Sequence, residues 1–209
     1  MRIDPAGWPF VGGALALAVA AAFLVSSTLG LALLIAAGFL LFFFRDPDRV
    51  VTQAPGAVLA PADGRVLVAG TPTVREFPPD AWRQISIFLS PLDVHVNRMP
   101  VAGRVAKVRY HPGRFLPAYR PEAGDLNEYT EVWIDHGGQP VVVRQIVGVL
   151  ARRIVCRTRE GADVAAGERF GVMKFGSRMD VFVPARARIT VKTGEHVVAA
   201  VTVVAMLPE

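Results

Sequence analysis

The chain begins with a stretch in which hydrophobic and polar positions do not alternate at all. From Phe10 to Phe44 no side chain is charged, and Ala, Leu, Val, Phe and Gly fill most positions. A helix needs about twenty apolar residues to cross a ~30 Å hydrocarbon core. The run is therefore long enough for one overlong span or two short ones. Ser26, Ser27, Thr28 and Gly30 interrupt it near the middle. This predicts two helices, about 10–25 and 29–44, forming a tight hairpin or two steeply inserted segments. A secretory signal would need basic residues ahead of the apolar core and a small-residue cleavage site behind it. Only Arg2 precedes the run, balanced by Asp4, and the run ends in the bulky "FLLFFFRDP". A retained membrane anchor over 1–48 is the expectation. Arg45 and Arg49 then fall on the cytoplasmic side of a cell membrane, and Pro47 stops the helix from continuing.

Beyond Arg45 the pattern changes to short β-branched runs separated by Gly, Pro and Asp. "GRVLVAG", "QISIFLS", "GRVAKVRY", "TEVWIDH", "PVVVRQIVGVL", "RRIVCRT", "MDVFVP", "ARITVKTG" and "EHVVAAVTVVAM" each read as strands with turn punctuation. No stretch there holds a period of 3.6 over twelve residues. Residues 49–209 thus predict one mainly β domain, a barrel or sandwich. "GADVAAGERFG" and "TGEHVVAAVTVVAM" echo each other, and "APADGRVLVAG" is a looser third version. Such repeats suggest the hammerhead-like barrel-sandwich of biotin and lipoate carriers.

Charge narrows the partners. The net charge is +5, but the arginines are scattered among apolar residues and form no basic run. A basic chain beside an apolar segment suits an anionic membrane surface. No helix-turn-helix, zinc-finger or single-strand-binding signature is present, so no nucleic-acid partner is expected. Cys156 is the single cysteine. An internal disulfide is excluded, a metal site is not expected, and a packed strand position is the simple reading.

Candidate chemistry gathers in "GVMKFGSRMDVFVP", Gly171 to Pro184. Met173-Lys174-Phe175 resembles a hairpin tip that displays a lysine for biotin or lipoate. Gly176-Ser177 is a bond that the serine hydroxyl could break from within. Glycine leaves the carbonyl open to attack and tolerates a strained backbone. The hydroxyl then needs a base, an orienting group for that base and donors for the oxyanion. "PADGRV" offers Asp63 in a turn and "SPLDVHVNRMPVAGRV" offers His95 in an extended segment. Each has an ordinary explanation when taken alone: a turn pair, a hydrogen-bonded structural histidine.

Together with "FFFRDPDR", the "NE" of "GDLNEYT" and "KFGSRMDVFVP", these motifs resemble the short, membrane-associated form of phosphatidylserine decarboxylase over almost the whole chain. The resemblance implies a self-cleaving enzyme. The cut falls between Gly176 and Ser177, giving a β chain of 1–176 and an α chain of 177–209. Ser177 becomes a covalent pyruvoyl cofactor, which forms a Schiff base with phosphatidylserine in the bilayer and releases phosphatidylethanolamine. Asp63 and His95 match the pair that assists the serine. Longer family members carry a second histidine three residues after the first, and this chain has Arg98 there. Arginine cannot serve as a base near pH 7. Arg98 is instead a candidate clamp for phosphate or carboxylate, and His111 in "YHPGRF" is a second candidate at the site. His136 and His196 read as turn or strand residues. The α and β chains would stay together as a heterodimer, and exposed sheet edges would allow a dimer of these. Arg114, Arg120, Phe115 and Leu116 form a loop that could dip toward lipid or be ordinary surface.

Overall fold

In the computed structural model, which describes residues 2–149, 153–174 and 176–208, two helices take up the uncharged run. Helix α1 covers Trp8–Leu24 and α2 covers Ser27–Phe43. Asp4 caps a short 3₁₀ turn that leads into α1, its carboxylate accepting from Ala6 N at 2.9 Å. Ser26 starts α2 by accepting from Leu29 N at 3.2 Å, so the polar break near the middle acts as a helix cap. Small residues let the helices approach closely. A Cβ on Gly30 would stand 2.5 Å from Ala22 Cβ, and Ala18, Ala21 and Ala37 are buried. Large apolar side chains elsewhere on the helices, Leu17, Phe23, Leu24, Leu31 and Ile35 among them, are exposed. Arg2–Ile3 pairs antiparallel with Arg45–Asp46. The hairpin therefore closes at its base, and the chain leaves on the side where it entered.

The chain divides into two compact units, Met1–Asp48 and Arg49–Glu209. The second is mainly β. Its largest sheet is an antiparallel ladder of eight strands. Across the ladder these are Asp163–Val164, Gly103–His111, Tyr129–His136, Gln139–Ile146, Ser177–Pro184, Trp82–Leu89, Gly64–Gly70 and His196–Val197. Two three-stranded sheets accompany it. One joins Ile154–Cys156, Arg169–Met173 and Val96–Arg98; the other joins Arg188–Ile189, Val203–Met206 and Ala57–Leu59. The ladder is open, because its two-residue edge strands do not pair with each other. The expected barrel or sandwich is thus a set of layered open sheets.

The internal echo is real, and its partners are regrouped. Val197 pairs with Gly64 and His196 with Arg65; Val164 pairs with Gly103 and Asp163 with Arg104. "ADGRV" and "AGRV" are therefore equivalent halves, and each takes one of the two hammerhead segments as its edge strand. Both glycines lie against a neighbouring backbone. A Cβ would meet Phe88 O at 2.1 Å from Gly64 and Asp135 O at 2.2 Å from Gly103. "EHVVAAVTVVAM" is not one strand. It breaks at Ala200, which has φ +63°, and Ala200 N–H is turned onto Ala60 O at 2.9 Å. The broken segment crosses from the ladder to a smaller sheet, a change of layer that no straight strand could make.

The main core lies between the ladder and the smaller sheets and is built from Val66, Ile85, Ile87, Val132, Val143, Met179, Val181 and their neighbours. Phe77 stacks on Phe182 at 3.7 Å on the opposite face of the ladder, beside Val74 and Val142. Both faces of the central strands are therefore covered, which explains their near-continuous apolar reading.

Candidate active site

Ser177–Pro184 is one of the two central strands of the ladder, between Trp82–Leu89 and Gln139–Ile146. Side chains alternate along it. Met179, Val181 and Val183 join the main core, while Arg178, Asp180 and Phe182 take the other face. Arg178 is buried there and donates to Asp180 through Nε at 2.6 Å and Nη2 at 2.8 Å, and to Ser86 Oγ at 3.0 Å. Gln84 donates to the same carboxylate at 3.0 Å. Four buried polar groups thus satisfy one another beside the first residue of the strand. A second buried arginine, Arg144, donates to Glu131 at 2.6 Å, pairs with Glu76, and lies over the Tyr129 ring at 4.3 Å. Burial raises the Tyr129 hydroxyl pKa, and the Arg144 charge works against that rise.

Ser177 opens the strand opposite Leu89 and is fully buried. Its Oγ has no hydrogen-bond partner among the described residues. The residue before it, Gly176, has φ +71°, a left-handed conformation that favours glycine. Three residues, Lys174 to Gly176, carry the chain from the end of Arg169–Met173 in a small sheet to Ser177 in the ladder. The Gly176–Ser177 bond therefore lies where one layer hands over to another.

His95 reaches this crossover through the small sheet. Val96 pairs with Val172, and Met173 N–H extends the pairing by donating to His95 O at 3.3 Å. The imidazole is fully buried, with Nδ1 2.9 Å from Asp93 O. A carbonyl can only accept, so Nδ1 carries the proton and Nε2 presents its lone pair. That is the tautomer a base requires.

Asp63 is buried with both carboxylate oxygens engaged. Oδ2 accepts from Arg49 at 2.6 Å and Oδ1 from Ala199 N at 2.8 Å. Arg98 N–H donates to Pro61 O, and Leu59 N–H to Pro100 O. This antiparallel run carries Asp63 toward the His95 end of the segment. Asp93 is the carboxylate whose main chain touches His95, and its own side chain is held by Ser90 and His196. Arg98 is buried and donates through Nη1 to Gly167 O at 3.2 Å, fastening the turn after Asp163–Val164.

His111 stands apart from the other candidates. It ends the Gly103–His111 strand, stacks on Tyr129 at 4.4 Å, and shares a cross-strand row with Tyr129, Ile146 and Arg178. Three inter-strand steps of ~4.8 Å place it about 14 Å from Arg178 in the plane of the sheet. His136 sits at a strand end, its Nδ1 2.6 Å from Ala102 O. Cys156 is half-buried in its strand, and burial raises its thiol pKa.

Comparison with known proteins decides the family. The family model described as phosphatidylserine decarboxylase matches residues 36–205. The chain is 43% identical to the phosphatidylserine decarboxylase proenzyme of Nitrosomonas europaea over 200 residues, covering 95% of this chain and 92% of the relative. The corresponding proenzyme of Symbiobacterium thermophilum is 44% identical over 204 residues, 97% of this chain and 94% of the relative. That of Mycobacterium avium is 44% identical over 210 residues, 99% and 87%. This chain belongs to the phosphatidylserine decarboxylase family. Members of that family are carboxy-lyases, so the chain is an enzyme of the decarboxylase class.

Membership and geometry together dispose of the carrier reading. A carrier lysine must stand exposed at a hairpin tip, whereas Lys174 is only 9% exposed and lies in the crossover between two sheets. No group of three or more His, Cys, Asp or Glu side chains arranged for a metal occurs among the described residues. The "KFGSRMDVFVP" motif carries the family resemblance in the sequence but gives no role to Arg178 or Asp180. Polar residues inside an otherwise apolar strand were the available signal, as they were for Arg144 and Gln145 in "PVVVRQIVG". Gln145 donates to Asn97 Oδ1 at 2.9 Å, tying the ladder to the sheet that holds His95.

Proposed function

We propose that this chain cuts itself between Gly176 and Ser177 and then decarboxylates phosphatidylserine to phosphatidylethanolamine at the inner surface of the cell membrane. The observation that carries the reading is Ser177 itself: a fully buried hydroxyl, without a partner among the described residues, directly after a left-handed glycine. A buried polar group without a partner calls for an explanation, and a hydroxyl held for attack on the carbonyl just before it is one.

Ser177 Oγ attacks the Gly176 carbonyl carbon while His95 Nε2 takes the hydroxyl proton. The C–N bond breaks, the Ser177 nitrogen is protonated to the amine, and Gly176 is left esterified to Oγ. Removal of the Ser177 Cα proton breaks the Cβ–Oγ bond and releases residues 1–176 as a carboxylate. The dehydroalanine at 177 takes up water and loses ammonia, which leaves a pyruvoyl group on residues 177–209. That group supplies an electron-withdrawing carbonyl able to condense with the substrate amine and stabilise the carbanion left by CO₂. His95 Nε2, buried beside the same crossover, then holds the proton for return to Cα. Asp63 carries negative charge at the same end of the segment and steadies the imidazolium as it forms.

The sheet explains why the product would remain whole. Ser177–Pro184 is paired along eight residues with Trp82–Leu89 and along five with Gln139–Ile146. Breaking the bond ahead of Ser177 leaves both ladders intact, so the 33-residue α chain stays clamped between strands of the β chain.

The anchor brings the site to its substrate. Pro5–Leu24 is long and apolar enough to cross a membrane, and the exposed apolar side chains of both helices suit lipid. Acyl chains keep phosphatidylserine in the bilayer, so a decarboxylase of that lipid must work at the headgroup layer. The surplus of arginine favours that anionic surface.

Intact mass of the detergent-purified protein tests the reading. With 22.5 kDa spread over 209 residues, the products are about 19 kDa and about 3.6 kDa, the smaller blocked to Edman degradation. Ser177→Ala should remain a single chain with no activity on phosphatidylserine. An active single chain would sink the proposal.

A further inference from the structure

Resting on the self-cleavage proposed above, we infer that Gly148 and Asn127 are positioning residues that seat the carbonyl of the bond to be cut. Gly148 follows the Gln139–Ile146 strand, the ladder neighbour of Ser177–Pro184. A Cβ built on it would stand 2.2 Å from Gly176 O, 3.2 Å from Gly176 C and 3.4 Å from Ala118 Cβ. No side chain fits there. The hydrogen that glycine carries in place of a Cβ faces the Gly176 oxygen, a short C–H···O contact.

The bed beneath that contact is fixed by Asn127. Its side chain is 1% exposed and makes three hydrogen bonds. Oδ1 accepts from Leu116 N at 2.9 Å, and Nδ2 donates to Leu116 O at 2.8 Å and to Val147 O at 2.9 Å. Val147 N–H donates to Glu128 O at 3.1 Å, so the residue before Gly148 is held on both sides. Leu116, clamped by the same amide, begins the stretch that brings Ala118 against Gly148. One buried side chain therefore ties down both segments that meet at Gly148, the one that carries it and the one that carries Ala118.

This matters because the nucleophile belongs to the next residue in the chain. Ser177 Oγ cannot approach from an arbitrary direction; its path is set by its own χ1 and by the tilt of the Gly176 carbonyl. Its strand fixes the serine, so the seat at Gly148 fixes the remaining variable. A methyl at 148 must push the oxygen aside, and a misplacement of about 1 Å can cost about 100-fold in such a reaction.

The test follows precursor cleavage on denaturing gels for wild type, Ser177→Ala, Gly148→Ala and Asn127→Asp, with hydroxylamine added to parallel samples. Asn127→Asp keeps the acceptor for Leu116 N and loses the donors to Leu116 O and Val147 O. Hydroxylamine attacks an ester at Ser177 Oγ and releases residues 1–176 as the hydroxamate, leaving a free serine at 177. The expected result is cleavage slowed about 100-fold by Gly148→Ala and at least about tenfold by Asn127→Asp. Hydroxylamine should release little from either precursor, because the block falls on the attack and no ester accumulates. Gly148→Ala in the Ser177→Ala background should melt within about 5 °C of Ser177→Ala alone. Cleavage of Gly148→Ala at the wild-type rate, abundant hydroxylamine release from it, or a melting point far below that of Ser177→Ala overturns the seat. A wild-type chain that never cleaves, or a Ser177→Ala chain that does, overturns the self-cleavage reading instead.

Discussion

At the scale of single residues, the cluster behind the proposed nucleophile is the most demanding feature of the domain. Arg178 and Asp180 are both buried, two residues apart on one strand face, and every hydrogen bond between them is short. Such a pair adds little stability over a well-packed apolar pair, but removing one partner leaves a buried charge uncompensated at a cost of about 3–5 kcal/mol. Asp180→Asn should therefore lower the melting temperature by roughly 10 °C for a domain of this size, read by differential scanning calorimetry on the Ser177→Ala precursor. The same substitution at exposed Asp163, which pairs loosely with Arg104 at 3.9 Å, should change little. The polar face of the strand thus sets where Ser177 sits, and the apolar face supplies the core.

At the scale of elements, the decisive arrangement is the hand-over from Arg169–Met173 to Ser177–Pro184. One end of that crossover is tied to His95 through the Met173 N–H, and the other starts a central strand. Tied in this way, the imidazole does not depend on a mobile loop for its position. His95→Gln keeps a hydrogen-bonding side chain of similar reach but removes the basic nitrogen. Precursor cleavage should slow by at least about 100-fold, measured by the disappearance of the full-length band, while the far-UV circular dichroism of the uncleaved chain stays unchanged. Fast cleavage in His95→Gln would leave His95 as a structural histidine. His111, across three strands in the Tyr129 row, should tolerate replacement by Gln without slowing that step.

At the scale of the whole molecule, the proposed cleavage raises the question of what would hold two chains together once a central bond is gone. Residues 177–209, the proposed α chain, contribute one of the two central strands of an eight-stranded ladder, and further along they supply His196–Val197 and Val203–Met206 to the ladder and to one small sheet. Their contacts are spread over the domain. The two fragments should therefore co-elute on size exclusion in detergent and should separate only in denaturant. Elution of free 177–209 from the native protein would contradict the ladder as the holding device. The N-terminal unit is of a different kind: its helices bury small residues such as Ala18, Ala21 and Ala37 and leave many large apolar ones exposed, a pattern that suits the anchor proposed for it.

Much of this could be read along the chain, and the reasons are local. Two helices follow from an uncharged run broken by a serine that caps the second, and the mainly β domain follows from β-branched runs punctuated by glycine and proline. Gly176-Ser177, His95 and Asp63 are each ordinary when taken alone, and only their combination with the other motifs, which carries the family resemblance, marks them. What the chain could not show depends on which strands become neighbours. A run such as "EHVVAAVTVVAM" reads as one strand, because the turn at Ala200 answers to Ala60, a residue 140 positions away. Lys174 reads as a display lysine until the crossover buries it. Gly148 looks like an ordinary loop residue and Asn127 is part of the "NE" motif without a role, since a close approach to Gly176 has no signature until the two segments meet. Chemical groups and local periodicity are properties of the sequence; distances between segments far apart in it are set by packing, and only the folded sheet supplies them.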